Sequence, residues 1–149
     1  MIKGNLSNFQ IFAKSLEDLK VISAYLQDSI IIIKDIVFLK KNRIFIMVVN
    51  RFMWEDLDKG LQKKNRRIRC AIKFEQVISA KSQNINQKKG SKSLECLTIK
   101  CSKTLKNTYK IIFFFSGNGM ITLNSEVIEV VMEDLGKSWN VKYIPDHKI

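Results

Sequence analysis

The run Ser29–Asn50, SIIIIKDIVFLKKNRIFIMVVN, constrains the fold more than any other part of the chain. β-branched and aromatic residues dominate it, and polar residues break it every six or so positions, as expected for successive short strands. Lys40, Lys41, Asn42 and Arg43 fall where a hairpin tip belongs, between strands at Ile36–Leu39 and Ile44–Val49. The strands are apolar at nearly every position, so they are expected to be covered on both faces. A chain with this run must build a sheet and pack something against it.

The flanking segments supply the rest. In residues 15–27, SLEDLKVISAYLQ, Ser15 can cap a helix and Asp18 can act as a weaker capping-box acid. Leu16, Leu19, Ile22 and Leu26 then share one face at helical spacing. A short strand at Phe9–Ala13 precedes this helix. After the hairpin, RFMWEDLDKGLQKKN has no clean period and reads as a connector with one helical turn. RIRCAIKF alternates, with Ile68, Cys70, Ile72 and Phe74 pointing one way and Arg67, Arg69 and Lys73 the other. The polar segment Lys81–Ser93 reads as a mobile hairpin loop.

LECLTIKC and TYKIIFFF are two further strands joined by a turn at Ser102–Asn107, and SGNG turns the chain into a returning strand, MITL. Asn124 is then expected to cap a C-terminal helix over SEVIEVVMEDL, with Leu123 and Ile128 as a hydrophobic staple and Gly136 at its end. The order predicts a single α+β domain over residues 1–149, with residues 140–149 as a flexible tail. Its sheet should be strongly bent and antiparallel, or a small barrel, with an N-terminal helix and a C-terminal helix. A pleckstrin-homology-like barrel, seven strands and then a helix, is the topology expected, and such a likeness licenses no function.

Charge is unevenly distributed. The chain carries +12 overall, yet Lys59–Lys110 holds 15 Lys/Arg against Glu75 and Glu95 only, a balance of +13. The basic band around Arg66, Arg67, Arg69 and Lys73 could draw phosphates and release counterions. The blander reading is that a solvated strand face needs polar residues and that a lysine-rich composition supplies them. Trp54, beside Arg51 and Glu55, is either a partner-binding hot spot or a packing residue over the end of the sheet.

Catalytic and metal chemistry find no support. Three cysteines suit free thiols in a reducing compartment, and period two puts Cys96 and Cys101 on opposite faces of one strand. A zinc site needs convergent ligands, and the chain's one histidine, His147, lies two positions from Ile149. A Ser-His-Asp or Cys-His arrangement would have to recruit that same residue. No catalytic residue, metal or cofactor is assigned, and the expectation is a protein that is not an enzyme. Apolar runs of four to six residues are far short of a membrane span, and no secretory h-region opens the chain, so a cytoplasmic protein with no membrane partner is expected.

VISAYLQDSI, FLKKNRIFIMVVNRFMWED, RRIRCAIKFEQV and GNGMITLNSEVIEVVMEDLG together resemble a family of small alphaproteobacterial proteins known as a domain of unknown function, family 2948. The resemblance runs from about Leu16 to Trp139. Its markers are Leu26–Asp28, Asn50–Phe52 followed by Trp54 and Glu55, the arginine cluster, and Asp134–Gly136. Members carry His at the position of Tyr25, so no role needing an imidazole carries over there. The resemblance implies a cytoplasmic bacterial protein and brings no activity, cofactor or catalytic residue.

The leading expectation is therefore a non-catalytic, β-rich binding or scaffolding module for a protein or anionic ligand. Its surface would hold Arg51, Trp54, Arg66, Arg67, Arg69 and Lys73, and a homodimer through the apolar strands is open to it. The alternative is a nucleic-acid-binding protein using the basic Lys59–Lys110 region.

Overall fold

Ser15 starts the first helix as its position implies. Its hydroxyl accepts a hydrogen bond from the Asp18 N–H at 3.1 Å, and the Asp18 carboxylate accepts from the Lys14 N–H at 2.9 Å. The computed structural model describes residues 9–58 and 65–142. In chain order these form β1 (Gln10–Ala13), α1 (Leu16–Leu26), β2 (Ile30–Leu39), β3 (Ile44–Phe52), the short helix α2 (Glu55–Asp58), β4 (Arg66–Phe74), β5 (Val77–Gln83), β6 (Ser93–Lys103), β7 (Tyr109–Phe115), β8 (Met120–Ser125) and β9 (Val130–Asn140). The fold is mostly β: one antiparallel sheet of nine strands in the order β1-β9-β4-β3-β2-β6-β7-β8-β5.

β2 is the joint of the sheet. β3 pairs with both ends of β2, at Ile30–Ile31 and at Ile36–Leu39 across an irregularity between Ile31 and Ile36, while Ile30–Ile32 alone also pair with Ser93–Glu95 of β6. Such an irregularity bends a strand. The half-sheet β1-β9-β4-β3-β2 consequently faces the half-sheet β6-β7-β8-β5. Phe45 of β3, Phe74 of β4 and Phe113 of β7 meet between them, with ring centroids 5.3–6.1 Å apart. α1 buries Leu19, Ile22 and Leu26 and lies along β6, where the Ser23 hydroxyl accepts from the Ile99 N–H at 3.0 Å. β1 and β5 remain as edges, so the sheet is not closed.

Several expectations hold. The 40–43 tip is a turn with Arg43 left-handed at φ 57°, and Ile68, Cys70, Ile72 and Phe74 are buried. Others are overturned. SEVIEVVMEDL does not form a C-terminal helix: Asn124 and Ser125 end β8, and the following residues enter β9, which pairs with both β1 and β4. Val130, Met132 and Asp134 are buried while Val131, Glu133 and Leu135 alternate outward, a period of two. Leu123 and Ile128 are core residues rather than a staple. Gly136 does take a left-handed φ of 71°, but beside the register shift between β4 and β9. The pleckstrin-homology-like topology rests on that C-terminal helix, and no helix follows β8 among the described residues.

The polar segment 81–93 is not a hairpin loop either. Lys81, Ser82 and Gln83 belong to β5, which pairs with β8, and Gly90 and Lys92 are tied to β2 through their carbonyls at 2.9 and 3.0 Å. β3 is covered on one face only. Phe45, Met47 and Val49 are buried, whereas Ile44, Ile46 and Val48 are partly exposed among the described residues.

Candidate functional site

Arg51 was placed on a binding surface by the sequence; the structure puts it in the interior, with its side chain fully buried. β3 brings it opposite β9, where its Nε and Nη2 donate to Asp134 Oδ1 and Oδ2, both at 2.8 Å. The helical turn α2 supplies Glu55, whose Oε1 and Oε2 accept from Nη1 and Nη2 at 2.9 and 2.6 Å. A longer contact runs from Nη1 to the Phe52 carbonyl at 3.4 Å. The five donors of a guanidinium are thus all engaged. The Phe9 ring lies 4.7 Å and the Tyr25 ring 5.7 Å from the guanidinium carbon. Burial works against the charge, but the bonds and attraction to Asp134 and Glu55 outweigh it and hold the pKa above its ordinary value.

The arginine cluster divides in the same way. Arg66 pairs with Asp56 through two 2.8 Å bonds and also donates to the Ser138 hydroxyl at 3.2 Å. Its pKa is raised, chiefly by the bonds to Asp56. Arg67 donates to the Asp28 and Asn50 carbonyls, both at 3.1 Å, and packs over Phe52; burial lowers its pKa. Trp54 is half-buried against Phe52, and its indole N–H donates to Gln27, the residue that ends α1, at 3.0 Å. Arg69 is the outward member, pairing with Asp35 at 3.5 Å, and Lys73 lies two positions along the same face. Lys63, Lys64 and His147 lie outside the described residues.

Segments far apart in sequence therefore meet at one place: Leu26–Asp28, Asn50–Glu55, Arg66–Arg67 and Asp134–Gly136. The family described as Protein of unknown function (DUF2948) matches residues 9–147. The chain belongs to this family. Nothing matches among curated proteins or among solved structures. In this DUF2948 chain these segments build a largely buried hub that clamps α1, α2, β3, β4 and β9 together. Every hydrogen bond named there runs between parts of the fold, so the hub acts as a structural clamp. Tyr25 belongs to it through its ring.

Of the thiols, Cys70 and Cys96 are buried and Cys101 is partly buried. Burial pushes Cys96 up to about 12 and Cys101 up to about 11, and raises Cys70 as well. Cys96 and Cys101 do not face opposite ways, because a register shift between Cys96 and Thr98 resets the alternation and turns both toward the core. Among the described residues no group of three His, Cys, Asp or Glu is placed to hold a metal ion. No described helix is long and apolar enough to cross a membrane.

A basic surface does exist, on the outer face of β6-β7-β8-β5. Register pairs Lys100 with Ile112, Thr98 with Phe114, Lys110 with Asn124 and Lys81 with Thr122, so these side chains share that face. Lys100 Nζ stands 5.8 Å from the Phe114 ring centroid. At one end the Thr104–Thr108 turn, held by bonds from the Lys106 and Thr108 N–H groups to the Thr104 hydroxyl, borders a hollow of about 450 Å³. Lys81, Lys106, Lys110 and the Thr122 and Asn124 side chains line it, and no carboxylate does. β6 and β7 were legible as strands, and these lysines were legible only as members of the basic Lys59–Lys110 region. Alternation alone could place Lys100 and Lys110 outward; bringing Lys81 beside them requires the strand order.

Proposed function

We propose that this DUF2948 protein is a non-catalytic, β-rich binding module that takes an anionic ligand or acidic protein segment on the outer face of β6-β7-β8-β5. The observation that carries this reading is Lys81, Lys100 and Lys110 on one face, where the hollow at one end is lined by Lys81, Lys106 and Lys110 with hydroxyl and amide side chains and no carboxylate. The arginines of the hub are engaged in structural bonds, whereas the lysines of this face form no ion pair among the described residues. Fixed cations on a sheet attract a polyanion at long range, and the hydroxyls offer directional bonds on contact.

A second reading is favoured by Phe114 and Lys100 together: single-stranded nucleic acid, whose bases stack on aromatic rings while lysines follow the backbone. Titrating the full chain with fluorescent polyglutamate and with fluorescent oligothymidylate, over a range of salt, separates the two. Preference for polyglutamate supports the first reading. Preference for oligothymidylate, with a log–log salt slope that falls by about 2 when all three lysines become alanine, supports the second. Binding of neither polymer at low salt would overturn both.

A further inference from the structure

The outer face of the other half-sheet presents a different problem. Phe12, Val131, Lys73, Ile46 and Val37 lie in register across β1, β9, β4, β3 and β2, forming one row of side chains. Phe12 is 63% exposed, and Val37 and Leu39 are each 42% exposed. The next row adds Val48 and Ala71, both partly exposed, and ends on the polar Glu133 and Gln10. Alternation should put polar residues here if water were the permanent neighbour. Exposed apolar residues gathered on one sheet face, with few charges among them, mark an interaction surface.

We propose that a second copy of this chain covers the face, pairing half-sheet to half-sheet about a two-fold axis. The charges select that occupant. Arg69 and Lys73 on this face are balanced by Asp35 and Glu133, so the patch is neutral although the chain carries +12. Two copies can meet here without the repulsion that their other faces would impose. An isologous contact can also bring the cations of one copy toward the acids of the other. A strongly acidic partner would gain more from the lysine face, and a strongly basic one would be repelled by the whole molecule. This inference is independent of what the lysine face binds.

Sedimentation equilibrium on the full chain at low and at high salt tests it. The expected result is twice the chain mass at micromolar concentration, persisting at high salt because the contact is apolar. Ile46→Lys at the centre and Phe12→Glu near the edge should each weaken the dimer by about 30-fold or more, the size of a hot-spot loss. Both side chains point outward, so circular dichroism and thermal melting should report an intact fold. Lys100→Glu on the other face should leave the mass unchanged. A wild-type chain that stays monomeric at about 100 μM, or a dimer that survives both substitutions, would overturn the proposal.

Discussion

Arg51 shows how far a residue's role depends on partners the sequence does not place beside it. Its carboxylate partner Asp134 lies 83 positions away. Beside Trp54 and Glu55 the arginine reads as a surface anchor; opposite Asp134 it is a buried clamp. Asp134→Asn leaves the guanidinium short of charge in the interior and should cost about 3–5 kcal/mol in urea unfolding. Arg51→Met combined with Asp134→Leu should recover most of that loss, since Glu55 still reaches water. A loss below about 1 kcal/mol for Asp134→Asn would mean that the clamp is not structural. The thiols make a second prediction at this scale. Cys96 and Cys101 keep their protons in the folded chain at a pH where unfolded thiols, ordinarily at 9.0, have lost theirs. Unfolding then releases protons, so stability should be full below about pH 9 and fall as pH rises toward about 12. Urea midpoints should drop from pH 8 to pH 10, and Cys96→Ala should show a shallower drop.

At the scale of elements, the helix α1, the 40–43 tip and the alternation of β4 were legible because each is decided by local chemistry: a cap, a turn, a period of two. β9 was not. EVIEVVMEDL satisfies helical spacing and alternation about equally, and its valines and isoleucine favour a strand only once β1 and β4 are there to pair with it. β5 hid because half of it, Lys81–Gln83, is polar, as suits an edge strand. Gly136 was expected to end a helix and instead takes a left-handed φ inside β9. Its φ of 71° stands with open space where a Cβ would go, so Gly136→Ala meets backbone strain rather than a clash. It should cost about 1–2 kcal/mol by denaturation, with Gly136→Asn milder. If alanine proves neutral, the turn in β9 is not held as described.

At the scale of the molecule, a lysine-bearing face and a largely apolar face lie on the two half-sheets. The basic middle third was legible, but which of its cations remain available was not, because that depends on strand order and on the acids brought to Arg51 and Arg66. With one face proposed for a second copy and the other for an anion, a dimer would present two lysine faces, and a long polyanion spanning both would gain avidity. Salt should weaken the anionic contact and spare the dimer.

The most direct measurement compares two variants in one polyanion titration at fixed low salt. Lys81→Ala/Lys100→Ala/Lys110→Ala removes the lysine face, and Arg69→Ala/Lys73→Ala removes the outward cations of the basic cluster. The first variant should lose most binding and the second should stay near wild type, with both folded. Loss of binding in the second variant and retention in the first would contradict the proposed binding face.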